Sequence, residues 1–360
     1  MKFKFAELFC GPGGLALGAM KASKQVGEVE FQPLWANDID QSTCKTYARN
    51  IHGGDSSKVY CMPVQDLKFD ELEDFDGLSF GFPCNDFSLV GEKKGTDGKF
   101  GPLYSYGVKA IEAKNPKWFV AENVGGLQSA NEGKAFKTIL NALQNAGDFG
   151  YKLSVHLYKF EEYGVPQKRH RFIIVGLRND LGLEFKVPQP TTPNPADYKT
   201  AKNALEDTPI PPDATHNELT RQSAQVVARL EKIPPGKNAW YEGLPEHLRL
   251  NVKGAKMSQI YRRLDPTQPS YTITGSGGGG THGYHWDEPR ALTNRERARI
   301  QTFPDSYFFE GSKETIRKQI GMAVPPDGVQ HIFVALAKTF AGIDYDSIDP
   351  KFDETFLAAL

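Results

Sequence analysis

Residues 3–9 alternate apolar and polar in the manner of a strand and run directly into Gly11-Pro12-Gly13-Gly14, after which LALGAMKA has helical character. A strand that turns on glycines straight into a helix commits the chain to a layered α/β architecture. Short apolar runs at 31–36, 78–82, 117–121, 151–158 and 171–177, with a helical pattern at 134–146 between two of them, repeat that alternation. The expectation is a mostly parallel sheet with helices on both faces. Such sheets bind ligands at the carboxyl ends of their strands.

From about 184 to 285 the texture changes: prolines cluster at 188–195 and 209–212, and Gly277 to Gly280 precede Thr281 and His282. We read 1–183 as a first domain, 184–285 as a smaller second one, and 286–360 as a return to the first, helical at 293–303 and 327–341. The net charge of −1 hides a segregation, because 253–299 hold eight Lys/Arg against four Asp/Glu while 66–76 hold six acids against one Lys. That pattern suits one face for an anion and another for water. Four cysteines at 10, 44, 61 and 84 show neither CxxC nor Cys/His spacing, so we expect reduced thiols and no metal site. The start MKFKFAELF resembles neither a secretory signal nor a membrane span, which points to the cytoplasm.

Four polar clusters fall at strand boundaries. Asn37-Asp38-Ile39-Asp40 follows the second strand, where an acid can accept ribose hydroxyls; a nicotinamide nucleotide and a purely structural turn both remain open on that observation. Gly81-Phe82-Pro83-Cys84-Asn85-Asp86-Phe87-Ser88 puts a cysteine after an apolar strand, either as a reactive group or as packing. Glu122-Asn123-Val124 ends another strand, and Gln167-Lys168-Arg169-His170-Arg171 opens a third.

Taken in order, the FxGxGG-like loop, PCxxFS, ENV, QxRxR, RALTNRERARIQTFPDSY at 290–307 and QIGxAVPP at 319–326 resemble the motifs of the cytosine-5 DNA methyltransferase family across nearly the whole chain outside 184–260. The resemblance implies a Rossmann-like S-adenosylmethionine methyltransferase fold with a target-recognition domain at 184–285. It implies methyl transfer from S-adenosylmethionine to carbon 5 of a flipped cytosine in a specific double-stranded DNA sequence. Cytosine C5 is a poor nucleophile, so a thiolate must first add to C6. By resemblance Cys84 supplies it, Glu122 in its protonated form relieves charge at N3, and Arg169 and Arg171 hold the base, the sugar-phosphate or the Cys84 loop. Asn123 is expected to order that loop.

For the cofactor the resemblance implies Phe9, Gly11, Gly13, Gly14, Asp38, Ile39, Asp66, Leu67, Pro83, Leu103, Met322 and Val324. Met322 is a departure, since family members usually carry Asn there; a flexible thioether replaces an amide. For DNA we expect Ser88, Gln167, Arg262, Arg263, Thr281 and His282 as contacts, with Lys253 and Lys256 as further phosphate partners. A monomer that works alongside a cognate restriction endonuclease, without contacting it, is the reading carried forward. An RNA cytosine-5 methyltransferase and a catalytically silent DNA-binding protein on the same fold remain its alternatives.

Overall fold

The computed structural model describes residues 1–82, 103–124, 134–251, 257–275, 280–352 and 354–358. It divides into two compact units, the first of residues 1–159, 170–190 and 328–360, the second of 160–169 and 191–327.

The first unit is built on seven strands: β1 Lys2–Leu8, β2 Glu30–Asp38, β3 Val59–Cys61, β4 Gly77–Gly81, β5 Trp118–Val124, β6 Tyr151–Lys159 and β7 His170–Arg178. Their order is β3-β2-β1-β4-β5-β7-β6. All neighbours are parallel up to β5, and β7 then runs antiparallel between β5 and β6. This insertion positions the site, because the start of an antiparallel strand lies at the same edge as the ends of its parallel neighbours.

Helices α1 Gly14–Val26, α2 Gln41–Ile51, α3 Tyr104–Lys114 and α4 Lys134–Gln144 alternate with these strands. Side chains on strands alternate between faces, so Phe3 and Phe5 face one side of β1 and Ala6 and Leu8 take part in the other packing. Phe3, Phe5, Phe31 and Trp118 pack with Phe333 and Phe340 of the long helix Pro326–Ala341. A second cluster joins Leu8, Leu78, Phe80 and Phe119 to Ile139, Leu140 and Leu143 of α4. Gly77 is required by packing alone: a Cβ there would lie 2.1 Å from the Trp118 indole.

In the second unit, α5 Ala201–Glu206, α6 Ala224–Lys232, α7 Asn294–Ile300 and α8 Lys313–Met322 are joined by long irregular segments. The helix expected at 293–303 stops early. Thr293 and Glu296 close a reciprocal cap at its start, and Thr302 takes a left-handed φ of 64° just past its end. The helix at the return to the first unit, α9, is the one already met at Pro326–Ala341 and begins on proline, whose missing N–H costs nothing at that position.

The two compact units differ in extent from the domains expected from composition. The second unit continues to 327, not 285, and takes in 160–169. The reason is burial, which composition does not report: Leu264, Ile273 and Trp286 share one apolar cluster with Leu292 and Ile300, and the Arg295 guanidinium donates to the Thr215, Pro304 and Tyr307 carbonyls. Among the described residues no helix is long and apolar enough to cross a membrane.

Candidate active site

The carboxyl edge of the sheet gathers β1's glycine turn, the end of β2, the end of β4 and the β5/β7 pair. At the first of these Phe9 has φ 52°, a left-handed conformation costly for an aromatic residue, and Gly11 and Gly13 follow at 52° and 93°. The turn is held by Asp38, whose Oδ2 accepts the Gly11 N–H at 3.0 Å and whose Oδ1 accepts the Asp40 N–H at 3.0 Å. Burial pushes the Asp38 carboxyl above its usual range, opposed by these backbone donors. Each oxygen keeps a second lone pair. A Cβ built on Gly11 meets nothing within 4 Å, and Ile39 beside it is 71 % exposed. Open space over a glycine turn, an acceptor at the end of β2 and an uncovered apolar side chain together fit a nucleoside with a ribose diol.

The β5/β7 register sets the second half. Glu122 is paired with Gly81 on one side and Ile173 on the other, and Val124 with Arg171. Arg171 Nε lies 2.8 Å from Glu122 Oε1, both side chains being largely buried. Glu122 Oε2 points toward the end of β4, where a Cβ on Gly81 would come within 3.1 Å of it. Asn123, fully buried, donates from Nδ2 to the Phe82 carbonyl at 2.8 Å and so anchors the point where the next loop departs. Pro83, Cys84 and Ser88 of that loop lie outside the described residues, as do Lys253 and Lys256.

Of the three polar residues in QxRxR, only Arg171 reaches Glu122. Arg169, expected with Arg171 to hold the base, the sugar-phosphate or the Cys84 loop, is 2 % exposed and donates to the Ile273 and Gly321 carbonyls, both at 3.1 Å. It clamps two segments that already touch, since a Cβ on Gly321 would fall 2.1 Å from the Gly275 nitrogen. Gln167, expected at DNA, is buried: its amide donates to Gln301 Oε1 at 2.9 Å and accepts from the Ile273 N–H at 2.9 Å. Both arrangements have one cause. A buried guanidinium or amide must satisfy its hydrogen-bonding groups, and backbone carbonyls and amides supply the partners.

Arg263, expected on phosphate, is buried and donates to the carbonyls of Leu230, Ile233, His285 and Trp286. Arg262 beside it is half-buried, with its guanidinium over the Tyr271 ring. Thr281 and His282 are half-buried; the His282 carbonyl accepts from Arg297, and burial together with Arg317 and Arg297 lowers the imidazole pKa.

Among the expected cofactor residues, the Leu67 side chain packs in the core of the first unit, while Asp66 next to it is exposed. Leu103 precedes α3 and packs against the same core. In the second unit Met322 ends α8 at 65 % exposure and Val324 is buried.

One buried acid was not foreseen. Glu7, 1 % exposed in the centre of β1, accepts from the Tyr47 hydroxyl at 3.1 Å, and burial pushes its carboxyl from 4.5 up to about 8. The available signal was a lone acid inside the apolar run FKFAELF, which in a central parallel strand has no solvent face to occupy.

The described residues hold no cluster of three or more candidate metal ligands. Comparison with known proteins gives a consistent result. The family model for C-5 cytosine-specific DNA methylases matches residues 3–338. The type II methyltransferase M.BbvI of Brevibacillus brevis is 61% identical over 98% of this chain and 96% of its own length. M.NgoFVII of Neisseria gonorrhoeae, another type II methyltransferase, is 40% identical over 97% of this chain and 90% of its own. Among solved structures, Spodoptera frugiperda DNMT2 superposes with a TM-score of 0.63 at 16% identity, covering 92% of this chain and 99% of that one, which is a likeness of fold.

Proposed function

The chain belongs to the C-5 cytosine-specific DNA methylase family and is a DNA (cytosine-5)-methyltransferase; from that premise we propose which of its residues carry out the reaction and on what. The observation that carries the reading is the Arg171–Glu122 pair at the carboxyl edge, beside Gly81, where the chain departs toward Cys84.

S-adenosylmethionine would be held over the β1 glycine turn and, when bound, would supply an electrophilic methyl group. Asp38 would accept from its ribose, Ile39 and Phe9 would cover its apolar faces, Gly13 and Gly14 would leave room for it, and the open space over Gly11 would let the backbone approach it. The substrate is a cytosine in duplex DNA, turned out of the stack because neither a thiol nor a methyl donor can reach C5 and C6 inside a paired helix. Cys84 adds through sulfur to C6, the ring becomes an enamine, and C5 takes the methyl group. Loss of the C5 proton then expels the Cys84 thiolate and restores the aromatic ring.

Glu122 serves this sequence by sharing a proton with N3 as electron density builds on the ring. Arg171 fixes its Oε1, so the free oxygen is held in one orientation before the base arrives. Asn123 holds Phe82, and with it the base of the Cys84 loop. The second unit supplies sequence recognition, and the biological task we infer is protection of host DNA from a cognate restriction endonuclease.

The test is duplex DNA containing 5-fluorocytosine, incubated with the protein and labelled S-adenosylmethionine. Fluorine does not leave C5 as a proton does, so a denaturation-stable protein–DNA adduct is expected, and it should vanish with Cys84→Ser. Methylation of ordinary DNA without any trapped adduct would refute the covalent route.

A further inference from the structure

Adjacent arginines in the second unit are used in opposite ways. Arg263 is consumed by carbonyls in the interior. Arg262 has the same chemistry and an equally fixed backbone: its N–H donates to the Gln259 carbonyl at 3.3 Å, and its own carbonyl accepts from the Tyr284 N–H at 3.1 Å and the Tyr271 hydroxyl at 2.8 Å. Its guanidinium carbon stands 4.5 Å from the centre of the Tyr271 ring. Among the described residues nothing accepts from that guanidinium, although Glu242 lines the same cavity. The cation is thus oriented by a ring on one face while its N–H edge has no acceptor among the described residues.

Arg262 lines a cavity of about 520 Å3 whose described lining residues all belong to the second unit. Two other lining residues are held by hydrogen bonds. Asn238 donates to the Ser258 carbonyl and accepts from the Trp240 N–H, both at 2.9 Å, and the Trp240 indole donates to the Met257 carbonyl at 2.9 Å. Lys237 on the rim is exposed and makes no ion pair among the described residues.

A planar fork of donors selects a partner with two acceptors side by side. On base edges in the major groove guanine alone meets that demand, through O6 and N7; adenine sets an amino donor beside N7, cytosine offers an amino donor, and thymine a single carbonyl with a methyl group. A phosphate would also accept, but phosphate contacts need only an exposed cation. Lys237 answers that description better than a stacked, half-buried arginine set in a cleft. We propose that Arg262 is a specificity-determining residue that reads a guanine of the recognition sequence, with Lys237 on the adjoining phosphate. The proposal rests on the duplex-DNA substrate argued above.

The experiment compares full-length wild-type protein with Arg262→Ala, Arg262→Lys and Lys237→Ala on a randomised duplex pool, with methylated positions read by sequencing. Wild type should methylate within one context containing an invariant guanine. Arg262→Ala and Arg262→Lys should accept other bases at that one position, losing about 5- to 150-fold discrimination there while the other positions stay selective. Lys237→Ala should weaken every context alike and reduce the salt dependence of binding by about one phosphate contact. A check that needs no variant replaces that guanine with 7-deazaguanine, which lacks the N7 acceptor; the wild-type rate should fall. An unchanged sequence profile in both Arg262 variants overturns the proposal, as does a uniform loss with a shallower salt slope, or indifference to 7-deazaguanine. Wild-type protein that methylates no duplex at all would instead refute the substrate reading.

Discussion

Glu122 and Arg171 come from strands that run in opposite directions, and their meeting depends on the register that sets Val124 against Arg171. The pair fixes one carboxylate oxygen, so replacing the acid should affect the rate more than the fold. Glu122→Gln is expected to slow methyl transfer by roughly 10²–10⁴-fold, the range for a lost proton-transfer group, with S-adenosylmethionine binding retained. Single-turnover kinetics beside a binding titration check this, and a near-wild-type rate would remove Glu122 from the mechanism. Glu7 offers a test of a different kind. Its carboxyl is raised from 4.5 to about 8 by burial, so the folded state keeps a proton that the unfolded chain has released. Its contribution to stability is therefore full below pH 4.5 and is lost as pH rises toward 8. Glu7→Gln removes that ionisation, and its denaturation midpoint should gain on wild type between pH 5 and 8, by at most about 1.4 kcal/mol per pH unit. Parallel pH profiles of the two proteins would show Glu7 to be ionised in the fold.

At the scale of elements, the edge strand β6 is covered in part by the carboxyl-terminal segment. Val155 bridges Phe352, and the Lys351 N–H donates to His156 Nδ1 at 3.1 Å. Burial, with Lys351 and Lys159 nearby, lowers the His156 pKa from 6.5 to about 4. A depressed histidine pKa stabilises the fold above the unfolded value and ceases to do so as pH falls through the folded one. Protonation also removes the Nδ1 acceptor. The segment at Lys351 and Phe352 should therefore loosen between pH 6.5 and 4, and hydrogen exchange at those two residues should accelerate there in wild type but not in a His156→Gln variant. In the second unit Arg263 ties α6 to the 285–288 segment through carbonyls alone. Arg263→Ala strands several buried acceptors at about 1–3 kcal/mol each, so a loss of at least about 3 kcal/mol in urea denaturation is expected. Arg262→Ala, which empties no interior bond, should stay within about 0.5 kcal/mol of wild type. Equal effects would contradict the opposite roles of the two arginines.

For the whole molecule, the extent of the second unit governs how recognition can be moved between relatives. An exchange limited to 184–285 draws the two partners of the Tyr284–Ala291 bridge and of the Arg297–His282 bond from different parents. An exchange over 191–327, made with 160–169 of the same donor, keeps both. The longer graft should fold with near-parental thermal stability and methylate the donor's sequence, whereas the shorter should melt earlier; equal melting temperatures would show that those bonds carry little. The architecture itself was legible beforehand, because period-two apolar runs, a glycine turn and helical spacing are local properties of the chain. The family was legible for a related reason: reactive groups must follow the strands that carry them, so their order survives as motifs along the sequence. What the chain alone left undecided was the use of each polar residue. Gln167, Arg169 and Arg171 share one motif, and Arg262 and Arg263 are neighbours with identical side chains. Only the folded structure separates a guanidinium spent on interior carbonyls from one paired with Glu122 or held against Tyr271, because burial and the supply of partners are set by how other segments fold against each side chain.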